Sequence, residues 1–212
     1  MPYIDKKNSL KNIKERDFVI LDLGCGAKKI NAQAIGIDAI DHDCVDIVGD
    51  VFSILPELPS ESVDSVFSSH FFEHIENVGS LLKEIHRILK PGGLLEIAVP
   101  HFSNPYFYSD PTHKTMFGLY SFSYFSIDNL FKRKVPKYNH EINFMLKKVD
   151  LIFKSSRPFY FRFIVKKAVQ LLININTFTR EFYEENLCYL FPCYEIRYTL
   201  AKIDAKDEKA VK

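Results

Sequence analysis

The chain has 212 residues, enough to bury a full core within one domain of ordinary size. Its 28 Lys and Arg nearly cancel its 27 Asp and Glu, so there is no long-range field to hold a polyanion, and nucleic acid is not expected as a partner. No stretch reaches the roughly 18 apolar residues of a membrane span, the first residues show no apolar signal core, and the four cysteines form no CxxC pair; reduced thiols and a cytoplasmic location are expected.

Residues 1–16 are polar, with Ile4, Leu10 and Ile13 alone at helical spacing, and read as a leader or a loose helix. The run Phe18, Val19, Ile20, Leu21, Asp22, Leu23 is rich in β-formers and closes on Gly24-Cys25-Gly26, a buried parallel strand entering a tight turn. A second strand spans 34–40 and ends near Asp38. The gap from Gly26 is too short for a three-turn crossover helix, so the first helix must be short or irregular. Residues 45–48 make a minor strand before Gly49-Asp50, and 63–68 a better one.

Val78, Leu81, Leu82, Ile85, Ile88 and Leu89 then form one apolar stripe, with Lys83, Glu84, Arg87 and Lys90 opposite, and Pro91-Gly92-Gly93 stops the helix. Residues 94–99 are another buried strand. Strands alternating with helical segments predict a doubly wound α/β fold, a mostly parallel, Rossmann-like sheet of about seven strands with helices on both faces. After Pro100 an aromatic-rich loop covers 101–124, and 148–154 and 194–203 alternate as two edge strands. Between them Ile164, Val165, Ala168, Leu171, Leu172 and Ile175 face one way on an amphipathic helix, and a second helical segment covers 179–190. Residues 205–212 read as a frayed tail.

The series of a strand, Asp22-Leu23-Gly24-Cys25-Gly26, a strand ending at Asp38, Gly49-Asp50, and Leu89-Lys90-Pro91-Gly92-Gly93 before a strand resembles the class I S-adenosylmethionine-dependent methyltransferases over roughly residues 17–104. Chemistry gives these residues matching work. Gly24 and Gly26 lack a Cβ, so the turn tightens and a ligand can lie on the backbone. An ionised Asp38 offers only acceptors, which suits two ribose hydroxyls, and the resemblance implies the same role. Asp50 is expected at the adenine amino group, with Val51 and Phe52 closing on the base and Cys25, Ala39 and Ser69 lining the same loops. Asp22 is expected to hold the turn or reach the methionine ammonium.

The rival is a dinucleotide oxidoreductase. It would need a third Gly where Ala27-Lys28-Lys29 stands and a gap of about 20 residues to the ribose acid, longer than Gly24 to Asp38.

After the fourth strand, Ser69-His70-Phe71-Phe72-Glu73-His74-Ile75 is similar to the Leu-Glu-His-Ile of small-molecule methyltransferases, with Phe72 in the Leu position. It lacks the Asn/Asp-Pro-Pro-Tyr of enzymes that methylate exocyclic or amide nitrogens. His70, Glu73 and His74, at i, i+3 and i+4, would share a helical face able to bind a metal. In some O-methyltransferases a Glu-x-x-Glu-His group here holds a divalent ion, but His70 replaces the first Glu. The plainer reading, with no metal, has Glu73 and His74 orienting loops and His70 lining the acceptor pocket. Pro192-Cys193 lies too far from the fourth strand for a nucleophile and reads as structural.

Acceptors in this family dock on the loop after the fifth strand. A hydroxyl acceptor needs a base, and His113, held by Asp110, and His101 are the candidates, with His70 behind them. The expected layout is a single domain over 1–212: cofactor core 17–104, acceptor lid 105–147 and helical insertion 157–192. The expected acceptor is a small molecule, a sugar or a glycan precursor, O-methylated. The alternatives are a binding module without turnover and an N-methyltransferase on a small amine. The basic aromatic run from Arg157 through the helix to residue 175 is able to rest on a membrane surface, although a lid helix packed on the sheet is the plainer reading. Nothing in the sequence sets the oligomeric state.

Overall fold

The computed structural model describes residues 3–127, 130–137, 142–155 and 158–203. The tail at 205–212, Arg157, and parts of the expected lid at 128–129 and 138–141 lie outside the described residues.

Strand β1 (Ile4–Asp5) precedes β2 (Ile20–Leu23), in which Leu21 and Leu23 have no exposed surface. The connection from β2 to β3 (Ile35–Asp38) contains turns and no helix, as its length requires. Next come β4 (Ile47–Val48), the single-turn helix α1 (Val51–Ile54) and β5 (Val63–Ser69).

Helix α2 (Val78–Ile88) buries Val78, Leu81, Leu82, Ile85 and Ile88, the stripe read from the sequence, and the Asn77 side chain caps it by accepting the Ser80 N–H at 2.9 Å. Leu89 leaves the helix and opens β6 (Leu89–Pro100). The register jumps from Val63 opposite Leu89 to Ser65 opposite Leu94, and the bulge between them holds Pro91-Gly92-Gly93 with Gly92 at φ +78°. The chain then forms β7 (Ser126–Ile127), β8 (Phe144–Ile152), α3 (Tyr160–Ile173), α4 (Thr177–Asn186) and β9 (Glu195–Lys202).

The sheet has nine strands rather than seven, in the order β1-β4-β3-β2-β5-β6-β9-β8-β7. The two extra strands, β1 and β7, are two-residue edge pairings, too short to leave any periodicity in the sequence. Strands β4, β3, β2, β5 and β6 are mutually parallel, and β9 runs antiparallel between β6 and β8. Chain order reverses between β2 and β5, which opens a crevice at their carboxyl ends, the switch point where ligands of open α/β sheets bind.

The expectation of helices on both faces needs correction. Leu95, Ile97, Ile196, Tyr198 and Leu200 point into the core. On the opposite face Phe67, Glu96, Arg197 and Thr199 line a solvent-open groove to which, among the described residues, no helix contributes. Helix α3 also departs from the sequence reading. Ile173 is its buried residue, while Ile164 (66% exposed) and Leu171 (74%) face outward. The helix is fastened to the sheet edge by polar links instead: Leu151 N–H donates to Asn174, Asn174 Nδ2 to Leu151 O, and Phe153 N–H to Gln170.

Candidate active site

The crevice begins where β2 runs into the glycine turn. Gly24 and Gly26 adopt φ +68° and +56°, conformations that disfavour a Cβ, and the Gly24 and Cys25 N–H groups both donate to Ile37 O. What stands before Gly24 is the Phe71 side chain; a Cβ there would lie 2.5 Å from Phe71 Cβ. At Gly26, by contrast, nothing lies within 4 Å of the Cβ position, so its backbone is open to the crevice.

The Asp38 carboxylate accepts Gly26 N–H on Oδ2 and Ile40 N–H on Oδ1, each at 2.8 Å. A carboxylate oxygen has two acceptor directions, so each keeps one for a ligand hydroxyl. Asp50 caps α1 through Oδ1, which accepts Phe52 N–H at 3.1 Å, while the Phe52 ring is partly exposed and Val51 is buried. A vicinal diol at Asp38 and a flat base between Asp50 and Phe52 fit this donor and acceptor set. Ala39 and Ser69 are exposed at the rim, and Cys25 is buried. Burial, with Asp22 nearby, pushes the Cys25 thiol up to about 12, so it is a neutral packing group. Asp22 is buried, which raises its pKa, and it accepts the Ile30 N–H at 2.7 Å, pinning the helix-free connection to the sheet.

The turn after β5 forms the opposite wall. His70 sits at φ +54°, and its ring bridges two carboxylates, Nδ1 to Glu73 Oε1 and Nε2 to Glu195 Oε2, both at 3.2 Å. The bonds to Glu195 and Glu73 raise His70 to about 9, making it a fixed cation rather than a base. Burial pushes the Glu195 pKa up, but hydrogen bonds from His70, Arg197 and Lys154 outweigh it and hold the group at about 2. Glu195 and Lys154 were missed by sequence reasoning. They come from β9 and the segment after β8, distant in sequence, and no local pattern links them to His70.

Phe72 is fully buried, edge-on to Phe71 and Phe122. The Glu73 carbonyl accepts Lys114 N–H at 2.7 Å and Thr115 N–H at 3.1 Å, which docks the loop after β6 onto this turn. His74 Nδ1 then meets Thr112 Oγ1 at 2.9 Å, and the His74 and His113 rings lie 4.9 Å apart. His113 Nδ1 donates to Phe107 O at 2.8 Å, so in the neutral ring Nε2 carries the lone pair.

Asp110 stands at that ring, at ion-pair rather than hydrogen-bond distance. Its carboxylate is engaged by the Thr112 N–H and hydroxyl, and Oδ2 stands 3.7 Å from His113 Nε2. His101 is wholly buried, with Nδ1 on Ser103 and Nε2 on Glu184 of α4, a position that braces the loop. The trio that the sequence offered as an alternative metal site is also rearranged. Both His70 nitrogens are taken, whereas Glu73, His74 and His113 each offer a ligand atom, all within 4.8 Å of one another, and Glu73 Oε2 is buried with no hydrogen-bond partner.

Residues 21–97 match the family described as "Methyltransferase domain". A ubiquinone biosynthesis O-methyltransferase of Bradyrhizobium diazoefficiens is 30% identical over 105 residues, 37% of this chain and 38% of that protein, so the chain matches well under half of the relative's length. Among solved structures, a SAM dependent methyltransferase from Archaeoglobus fulgidus superposes with a TM-score of 0.57 at 18% identity, covering 92% of this chain and 90% of its own. A putative methyltransferase from Bacillus halodurans does so with a TM-score of 0.55 at 17% identity, covering 92% and 98%. At such identities the structures speak for the fold.

Proposed function

We propose that this chain is a class I S-adenosylmethionine-dependent methyltransferase that transfers a methyl group to a hydroxyl of a small-molecule acceptor, a reading supported by the match of residues 21–97 to a methyltransferase domain. The observation that carries this reading is the docking of the Asp110–Thr115 loop on the Glu73 carbonyl, which sets His113 Nε2 beside the turn that also presses Phe71 onto Gly24. Asp38 would hold the ribose hydroxyls, Asp50 and Phe52 the adenine. When bound, S-adenosylmethionine supplies a methyl group on a sulfonium. The protein's own part is to orient the acceptor, exclude water and take the hydroxyl proton on His113 Nε2, whose tautomer the Phe107 carbonyl selects. Tyr106 and Tyr108, exposed on the same loop, offer rings and hydroxyls to a sugar or an aromatic acceptor.

A second reading rests on the buried, unpartnered Glu73 Oε2. With His74 and His113 it makes a mixed oxygen and nitrogen donor set that a divalent ion would satisfy, and such an ion would lower the hydroxyl pKa in place of a base.

The test is release of S-adenosylhomocysteine over a panel of matched hydroxyl and amine acceptors. Release with hydroxyl compounds supports O-methylation. Release with amines alone overturns it, and tight S-adenosylmethionine binding with no release across the panel favours a binding module.

A further inference from the structure

A cavity of about 530 Å³ lies between α3, the turn at Pro105–Ser109 and the segment leading into β9. Its walls are of two kinds. Tyr106, Phe161, Val165 and Phe191 supply apolar surface, and Lys154, Arg162 and Lys166 supply three cations. Such a volume suits a small organic ligand, and walls of this kind set its polarity.

The cations are not balanced locally. Glu195 takes Lys154 at 3.0 Å but is already shared with His70 and Arg197. Lys166 Nζ donates to the Lys154 carbonyl at 2.9 Å, and the Arg162 guanidinium lies 4.6 Å from the Phe159 ring centroid. Among the described residues neither has a carboxylate within salt-bridge distance. Burial first and the adjacent Arg162 charge second push Lys166 below the ordinary lysine value. In a chain whose formal net charge is only +1, this is a local excess.

Two chains of contacts run from the cavity lining to the candidate active site. Lys154 leads through Glu195 to His70, and Tyr106 precedes Phe107, whose carbonyl holds His113.

We infer that this cavity binds an amphiphilic anion, with a phosphate or carboxylate on Arg162 and Lys166 and an apolar body against Phe161, Val165 and Phe191. The inference rests on the proposed methyl transfer only where it names the acceptor: a hydroxyl compound carrying both features. A phosphate at Arg162 is held by parallel N–H donors, which a neutral headgroup cannot match. The anion arrives either free or from a lipid surface, and the outward apolar residues of α3, such as Phe161 and Ile164, are compatible with the second source.

The probe is decyl phosphate, titrated calorimetrically below its micellar concentration against decanol and inorganic phosphate. Decyl phosphate should bind, with both controls far weaker. R162Q alone, and R162Q with K166Q, should weaken it about tenfold or more, since charged hydrogen bonds are lost. S-adenosylmethionine affinity should stay unchanged, which also shows the variants are folded. Sedimentation with phosphatidylglycerol vesicles separates the sources: pelleting that R162Q/K166Q abolishes assigns the anion to a bilayer, and titration without pelleting assigns it to solution. Binding of decanol or inorganic phosphate as tight as that of decyl phosphate, or affinity indifferent to both variants, overturns the inference. Because the titration needs no turnover, it decides the cavity even where the transferase reading fails.

Discussion

The imidazole of His70 meets the Glu195 carboxylate at 3.2 Å across 125 residues of chain, joining the turn after β5 to the first residue of β9. His70 titrates at about 9 instead of 6.5, and Glu195 at about 2 instead of 4.5. A raised His contributes stability below its unfolded pKa and loses it as pH rises through the folded value; a lowered Glu contributes above its unfolded pKa and loses it as pH falls. The pair is therefore at full strength between pH 4.5 and 6.5. Glu195→Gln should cost about 1 to 3 kcal/mol there, discounted for a half-exposed His70, with the deficit narrowing toward pH 9. Thermal melts of both proteins across pH 4.5 to 9 read this directly. A deficit that does not vary with pH removes the charged pair as its cause.

Asp38 should carry much of the cofactor affinity. Asp38→Ala removes the acceptors proposed for the ribose and releases the Gly26 and Ile40 N–H groups, so S-adenosylmethionine binding should weaken by about 1.5 to 3 kcal/mol. Calorimetry on a variant with wild-type circular dichroism checks this, and unchanged affinity refutes the assignment.

Gly24 and Phe71 should be coupled. Gly24→Ala adds a methyl group 2.5 Å from Phe71 Cβ at φ +68°, where the backbone alone disfavours a side chain by about 1 to 2 kcal/mol. Phe71→Gly removes both the Cβ at 2.5 Å and the ring atoms at 2.7 Å, so it should relieve the clash but not the backbone strain, and the double variant should be less unstable than the sum of the single ones. Additive effects in urea melts would mean that Phe71 does not rest on this turn.

His113→Ala should lower kcat by about 10² to 10⁴ with cofactor affinity unchanged, the range for a positioned acid-base group. Asp110→Asn should cost less, because it removes a 3.7 Å ion pair with the ring but leaves the imidazole itself in place. Exhaustive chelation should leave turnover intact if His113 is the base. Loss of activity on chelation, restored by Mn²⁺ or Mg²⁺, would transfer its role to a cation held by Glu73, His74 and His113.

His86, on the α2 side facing Phe144, is held down to about 4 by burial first and by the nearby Lys202 charge second. Its folded pKa is below its unfolded 6.5, so the neutral form contributes stability above pH 6.5 that is lost as pH falls toward 4. His86→Phe should flatten the fall in melting temperature over that interval. A variant whose acid sensitivity equals that of wild type would exonerate His86.

The sequence by itself determined the elements whose cause is local. The β2 run into Gly24 and Gly26, the acid ending β3, and the α2 stripe with its Pro91-Gly92-Gly93 stop all follow from periodicity and turn chemistry within a few residues, and together they make the crevice legible. Only the tertiary structure decided which distant groups meet. Glu195 reaches His70, the 110–115 loop delivers His113 to Glu73 and His74, and Phe71 covers Gly24, because sheet order and loop docking bring these groups together and no short-range pattern encodes either. The periodicity of α3 announces an apolar face but not what lies against it. In the fold Asn174 and Gln170 fasten the helix to β8 by hydrogen bonds, and that leaves Ile164 and Leu171 turned to solvent.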